Sequence, residues 1–187
     1  MPSRDLRLGL DTATSWLSLA LVDADGRLVA HDEVRADRTH AAIVLPRLRD
    51  LFDEAEAVPD DLTAITVGVG PGSYTGVRIG LAVARGLAAG SGAPLGGADT
   101  LAMLAWAALR DGETGIAAID ARRGAAYVAV FRREGDRLRT LREAAKTDRA
   151  EAAAAHPEAA WIEDRAPAAA WAAARPPGER PPAAVYL

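Results

Sequence analysis

Two aspartates, Asp11 and Asp120, each close an apolar run and open onto a short polar turn, LGLDTATS in one case and AAIDARRG in the other. A carboxylate at the end of a strand can contact a metal ion or a nucleotide, and it can as readily accept the amides of its own turn. A second chemical feature is residues 68–90, GVGPGSYTGVRIGLAVARGLAAG, where a glycine-rich loop runs into a helix. Backbone amides at such a helix start can hold an anion. The loop nevertheless fits neither standard nucleotide fingerprint. It has no lysine beside a closing serine or threonine, and Gly70, Gly72 and Gly76 overshoot the Gly-x-Gly-x-x-Gly spacing by one residue. Asp11, Thr12, Gly72 and Ser73 are the residues left for nucleotide or anion contact.

Little else in the chain supports catalysis. His31, His40 and His156 form no His-x-x-x-His or His-Glu-x-x-His pair, so no two metal ligands share a helix face. Ser73 lies in Gly-Pro-Gly-Ser-Tyr, unlike the Gly-x-Ser-x-Gly elbow of hydrolases, and suits a helix cap better. The chain has no cysteine, which excludes disulfides, thiolate metal sites and cysteine nucleophiles. The reading is of a protein with no catalytic residues, no metal and no cofactor.

The elements that carry these residues alternate. Strands are expected at 6–10, 16–22, 27–33 and 62–70. A helix with Asp37 or Thr39 as cap presents Val44, Leu48, Leu51 and Phe52 on one face and is kinked by Pro46. After a strand near 94–96 and a helix from Thr100 capped by Asp99, the opening pattern returns. LGLDTATSWLSLALVDADGRL and AAIDARRGAAYVAVFRREGDRL share strand, aspartate, polar turn, strand, hairpin turn and Arg-Leu. This points to a duplicated α/β lobe. A strand at 161–163 and a helix at 167–174 are the only elements assigned after Glu143.

Within the helix that follows the glycine loop, Gly76, Gly80, Ala84 and Ala88 recur every four residues and align small side chains on one face. Interior glycine costs a helix about 1 kcal/mol against alanine. Close approach of another backbone would offset that, and the backbone is either the protein's own sheet or a helix of another subunit.

Across its 187 residues the chain carries a net charge of −4 and a single lysine, Lys146. Nucleic-acid modules neutralise phosphates with a basic surface, which this balance does not supply. If the chain works on RNA, a partner makes most of the contact. No apolar run approaches the roughly 20 residues of a membrane span. The start MPSRDLRLGLD has no leader pattern, so the expectation is a soluble cytoplasmic protein.

LGLDTATSWLSLAL, THAAIVLPRLRDLF, GVGPGSYTGVRIGLAVARGLA, AAIDARRGAAYVAVF and the closing VYL, in that order, resemble the bacterial TsaB (YeaZ) family, most clearly from Leu6 to Arg132. The resemblance implies an α/β, actin-like ATPase (ribonuclease H-like) fold. It has two related lobes with mixed sheets and flanking helices, an N-terminal lobe at 1–97 and a smaller C-terminal lobe at 98–187. It implies the non-catalytic subunit of the machinery that makes threonylcarbamoyladenosine in tRNA. The partners would be TsaD in a heterodimer and the ATPase TsaE, with a homodimer when the chain is alone and tRNA met only through the complex. The partner interface would lie on two helices and include His40, Val44, Leu48, Tyr74, Val77, Gly80, Leu81 and Ala84. Active members of the superfamily carry Asp-x-Gly-Thr at the first turn. This chain has Asp11-Thr12-Ala13-Thr14, and Arg122-Arg123 follow Asp120, departures that suit a subunit without an active site. The alternatives are a stand-alone metal-dependent peptidase and a nucleotide-binding, kinase-like enzyme.

Overall fold

The structure, a computed structural model, describes residues 5–175, so the closing VYL lies outside the described residues. β1 (Leu6–Asp11), β2 (Trp16–Val22) and β3 (Leu28–Arg35) form an antiparallel meander, with Asp11 opposite Ser18 at the turn. α1 (His40–Glu54) crosses back and a 3-10 turn at Pro59–Asp61 leads into β4 (Leu62–Gly68), which lies parallel to β1. α2 (Tyr74–Ser91) then returns the chain to β5 (Leu95–Ala98), and the sheet order is β3-β2-β1-β4-β5.

Of the two expected caps, Thr39 stands at the N-cap of α1, but its hydroxyl donates back to the Ala36 carbonyl at 2.6 Å and makes no side-chain cap. The helix is continuous through Pro46. Val44, Leu48, Leu51 and Phe52 point inward from it and meet Val77, Leu81 and Ala84 of α2 in one core. The inward face follows the i, i+4, i+7, i+8 spacing of an amphipathic helix.

α3 (Thr100–Ala108), capped by the Asp99 carboxylate accepting from the Ala102 amide at 2.8 Å, joins this lobe to the next. There β6 (Thr114–Asp120), β7 (Ala125–Glu134) and β8 (Arg137–Asp148) repeat the meander. α4 (Arg149–Ala155) crosses back to β9 (Ala160–Ile162), parallel to β6, in the order β8-β7-β6-β9. The duplication therefore extends past the two hairpins to the crossover helix and the parallel strand. β8 and α4 are the elements that the sequence pattern did not reveal.

α5 (Ala169–Ala173) falls in the second half of the sequence but packs on β1 and β2 of the first sheet, on the face away from α1 and α2. β1 and β2 are thus buried on both faces, and even Ser18 lies inside, its hydroxyl donating to the Pro167 carbonyl at 2.6 Å. Gly9 makes the contact feasible, because a Cβ there would stand 2.0 Å from the Ala169 carbonyl oxygen. At the outer end of α5, Trp171 stacks on Trp106 of α3 with ring centroids 5.4 Å apart, and Arg175 lies over the Trp171 ring. Among the described residues no helix is long and apolar enough to cross a membrane.

Candidate functional site

Asp11 is delivered by β1 to the junction of the two lobes, and there it is sealed. One carboxylate oxygen accepts the Ala13 amide at 2.7 Å and the other accepts the Thr100 hydroxyl at 2.8 Å. Thr100 in turn accepts the Gly70 amide at 3.2 Å, so the carboxylate ties β1, the glycine loop and the start of α3 together. Gly68 supplies the room, since a Cβ there would fall 1.7 Å from an Asp11 oxygen. Burial pushes the Asp11 carboxyl from its ordinary 3.8 up to about 6; the Ala13 and Thr100 hydrogen bonds pull the other way, and the charge of Asp99 adds to the rise. Thr12 is buried as well, its hydroxyl donating to the Gly76 carbonyl at 2.7 Å. Asp11 and Thr12 therefore serve the turn itself. Of the four residues expected at a nucleotide or anion, these two have side chains enclosed and hydrogen-bonded within the chain. Gly72 and Ser73 do line the cleft between the lobes, and Ser73 caps α2 by accepting the Gly76 amide at 3.2 Å.

The glycines of the loop and helix let α2 lie directly on the Asp11–Ala13 turn. A Cβ at Gly72 would stand 2.4 Å from the Ala13 carbonyl oxygen, and one at Gly76 2.0 Å from that of Thr12. At Gly80 it would meet the Thr12 hydroxyl at 2.6 Å and Leu10 and Val67 at 3.4 Å. Of the two backbones that the small-residue stripe could meet, it meets the protein's own first strand. The residues expected at a partner interface are placed as follows. His40, Val44, Leu48, Val77, Gly80, Leu81 and Ala84 are buried within the chain, and only Tyr74, at 58% exposure, faces solvent. His40 is held by its ring nitrogen, 3.2 Å from the Trp16 carbonyl oxygen.

What α1 and α2 leave outward is a different set. α1 exposes Ala42, Pro46 and Leu45, the last at 61%; α2 exposes Ala82, Gly86 and Ala89. A Cβ at Gly86 would find nothing within 4 Å, so this interior glycine has no packing role in the single chain. On a helical wheel these α2 positions stand opposite Gly80, which is the signal that marks them as a separate face.

The second aspartate has the opposite environment. Asp120 closes β6 in the open, accepting the Arg122 amide at 3.2 Å and lying 3.5 Å from the Arg149 guanidinium. Its turn passes through three residues in the left-handed region, Arg122 (φ 65°), Arg123 (φ 55°) and Gly124 (φ 82°). Between this turn and the start of α2 lies a cleft of about 840 Å³, walled by Ser73 and Tyr74 on one side and by Ile119, Asp120 and Tyr127 on the other. Arg35 of the first lobe closes one end through an ion pair to Asp164 at 2.9 Å, which holds the Asp164 carboxyl below its ordinary range. Among the described residues no group of three or more His, Asp or Glu side chains is placed to hold a metal ion.

Two lobes built on one repeated meander–helix–strand plan, with a cleft between them and an aspartate at the head of each, define a protein of the actin-like, ribonuclease H-like class. The chain belongs to the TsaB (YeaZ) family. Escherichia coli (strain K12) tRNA threonylcarbamoyladenosine biosynthesis protein TsaB is 43% identical over 129 residues, covering 68% of this chain and 55% of that protein. The Bacillus subtilis (strain 168) protein of the same name is 35% identical over 125 residues, 66% of this chain and 54% of its own length. The crystal structure of Pseudomonas aeruginosa YeaZ superposes with a TM-score of 0.70 at 37% identity, over 76% of this chain and 67% of that one. A family model described as TsaD, tRNA N6-adenosine threonylcarbamoyltransferase, matches residues 34–178. The chain spans about half the length of the curated relatives it matches.

Proposed function

We propose that this chain is a non-catalytic, partner-binding subunit in the formation of threonylcarbamoyladenosine on tRNA, acting in the cytoplasm through a TsaD-type partner. The observation that carries the reading is the sealed Asp11. The aspartate that heads the cleft has no oxygen turned toward it, both being held by Ala13 and Thr100. The first lobe instead offers the outward face of α1 and α2, where Leu45 is exposed and Gly86 lacks neighbours. Small residues on a helix allow a second helix to approach closely, and buried apolar area then supplies the association energy. Tyr74 stands at the end of that face. TsaE joins the pair in this reading, tRNA is met through the complex, and the same face accounts for a homodimer when the chain is alone.

The test is Gly86→Leu together with Leu45→Glu. Both positions are exposed, so circular dichroism and thermal unfolding stay close to the parent. Association with TsaD, measured by light scattering and titration calorimetry, falls about tenfold to a hundredfold, the range of an overpacked contact. Unchanged association would remove α1 and α2 from the interface. ATP or peptide turnover by the isolated chain at about 1 s⁻¹, the lower end of ordinary enzyme rates, would overturn the non-catalytic reading.

A further inference from the structure

Two neighbouring carboxylates just past β9 turn to opposite lobes. Glu163 stays with the second lobe, where Arg149 of α4 donates to both of its oxygens and the Trp161 indole donates at 3.0 Å. Asp164 reaches the first lobe and accepts the Arg35 guanidinium at 2.9 Å and the Ser15 hydroxyl at 3.3 Å. Its backbone holds a left-handed φ of 51°, which glycine would adopt without strain, so what the aspartate adds to the turn is its carboxylate. From there the bonds run on to α1. The Ser15 carbonyl accepts the Ala36 and Asp37 amides at 2.8 and 2.9 Å, and Arg35 also donates to Asp37 at 3.3 Å. The Ala36 carbonyl accepts the amide and the hydroxyl of Thr39, the residue at the N-cap. The first amides of a helix need partners from outside it, and α1 has neither a side-chain cap nor an acidic residue in its first turn. The start of α1 is therefore held by the segment before it, and that segment is held in part from the other lobe.

We propose that Asp164 is a positioning residue through which the second lobe orders the start of α1 and so strengthens partner binding on the outward face of α1 and α2. The partner half of this rests on the reading of that face given above. Asp37 and Arg38 stand at the rim of the cleft with Tyr74, so the tie meets the face at the end where both helices begin. Arg35 and Asp164 are each about half exposed, and such a pair adds little to overall stability. Its effect is local. A helix end frays at low free-energy cost, and a partner binds only the fraction of chains in which the first turn is formed. Affinity follows that fraction, although the Asp164 side chain bonds to neither helix.

The experiment compares the purified chain with Asp164→Asn, which removes the charge and keeps a residue type that visits the left-handed region. Hydrogen exchange read by mass spectrometry follows residues 36–44, with residues 83–91 of α2 as the control. In the variant, exchange at 36–44 is about twofold to fivefold faster, while the control and the thermal midpoint are unchanged. Affinity for TsaD, measured by calorimetry, falls by a similar factor. Arg35→Gln acts in the same direction, and adding Asp164→Asn to it brings no further change, as one shared interaction requires. Unchanged exchange at 36–44, faster exchange across the whole chain, additive effects of the two substitutions, or unchanged TsaD affinity each overturns the proposal. Leu45→Glu keeps the two readings apart. Unchanged TsaD association in that variant removes the helix face, whereas association lost there but kept in Asp164→Asn removes only the tie.

Discussion

Asp11 closes β1 and Asp120 closes β6 at the same point of a repeated plan, each followed by a turn into an antiparallel strand. In the first lobe, α2 settles on the turn through Gly72, Gly76 and Gly80, Thr100 arrives from α3, and the carboxylate is enclosed. In the second lobe no helix among the described residues descends on the turn, because α5, the helix after β9, packs on the other sheet. Asp120 stays in solvent with Arg122 and Arg149. The motif alone does not decide what an aspartate can do. The helix laid across it does, and glycines at the crossing set how close that helix comes.

The contrast can be broken most severely at the crossing. Gly80→Leu forces a side chain into the space held by Thr12, Leu10 and Val67, and is expected to cost about 3 kcal/mol or more, read as a lower urea midpoint or as failure to fold. A stable Gly80→Leu chain would mean that α2 does not lie on the turn as described.

The next effect is on pH dependence. The folded Asp11 carboxyl titrates near 6 against an ordinary 3.8, so the folded state holds its proton more tightly. The stabilisation is complete below about pH 4 and is lost as pH rises through 6, an effect on the order of 3 kcal/mol at most. Asp11→Asn is expected to flatten this decline between pH 4 and 6 in denaturation midpoints. A parallel pH profile for parent and variant would show that the carboxyl is not the titrating group. Asp120→Asn supplies the smallest effect. Its side chain is exposed and its pairing with Arg149 is a surface contact, so stability should shift by less than about 0.5 kcal/mol at any pH. A larger loss would mean that the second turn is as enclosed as the first.

Much of this organisation is visible in the residues. The strand–Asp–turn–strand repeat, the parallel strands β4 and β9, and the caps Ser73 and Asp99 stand where local pattern places them. The missed elements have physical reasons. β8, RLRTLREAAKTD, is an edge strand whose charges mask alternation and whose register shifts twice. α4 is only 7 residues and alanine-rich, with no apolar stripe to read. The stripe on α2 was legible as a face but not as a direction. Gly80 and Ala84 on one side and Ala82 and Gly86 on the other are equally small, and only the position of β1 separates them. The sealing of Asp11 was hidden because its partner Thr100 comes from 89 residues further along.

The return of α5 sets an order in time. Ser18 of β2 waits for the Pro167 carbonyl, 149 residues later, and Gly9 waits for Ala169. Until that segment has left the ribosome, one apolar face of the first sheet has nothing to cover it. Contacts this far apart slow folding, and exposed strands invite aggregation while they wait. The lobe made first is therefore the lobe completed last.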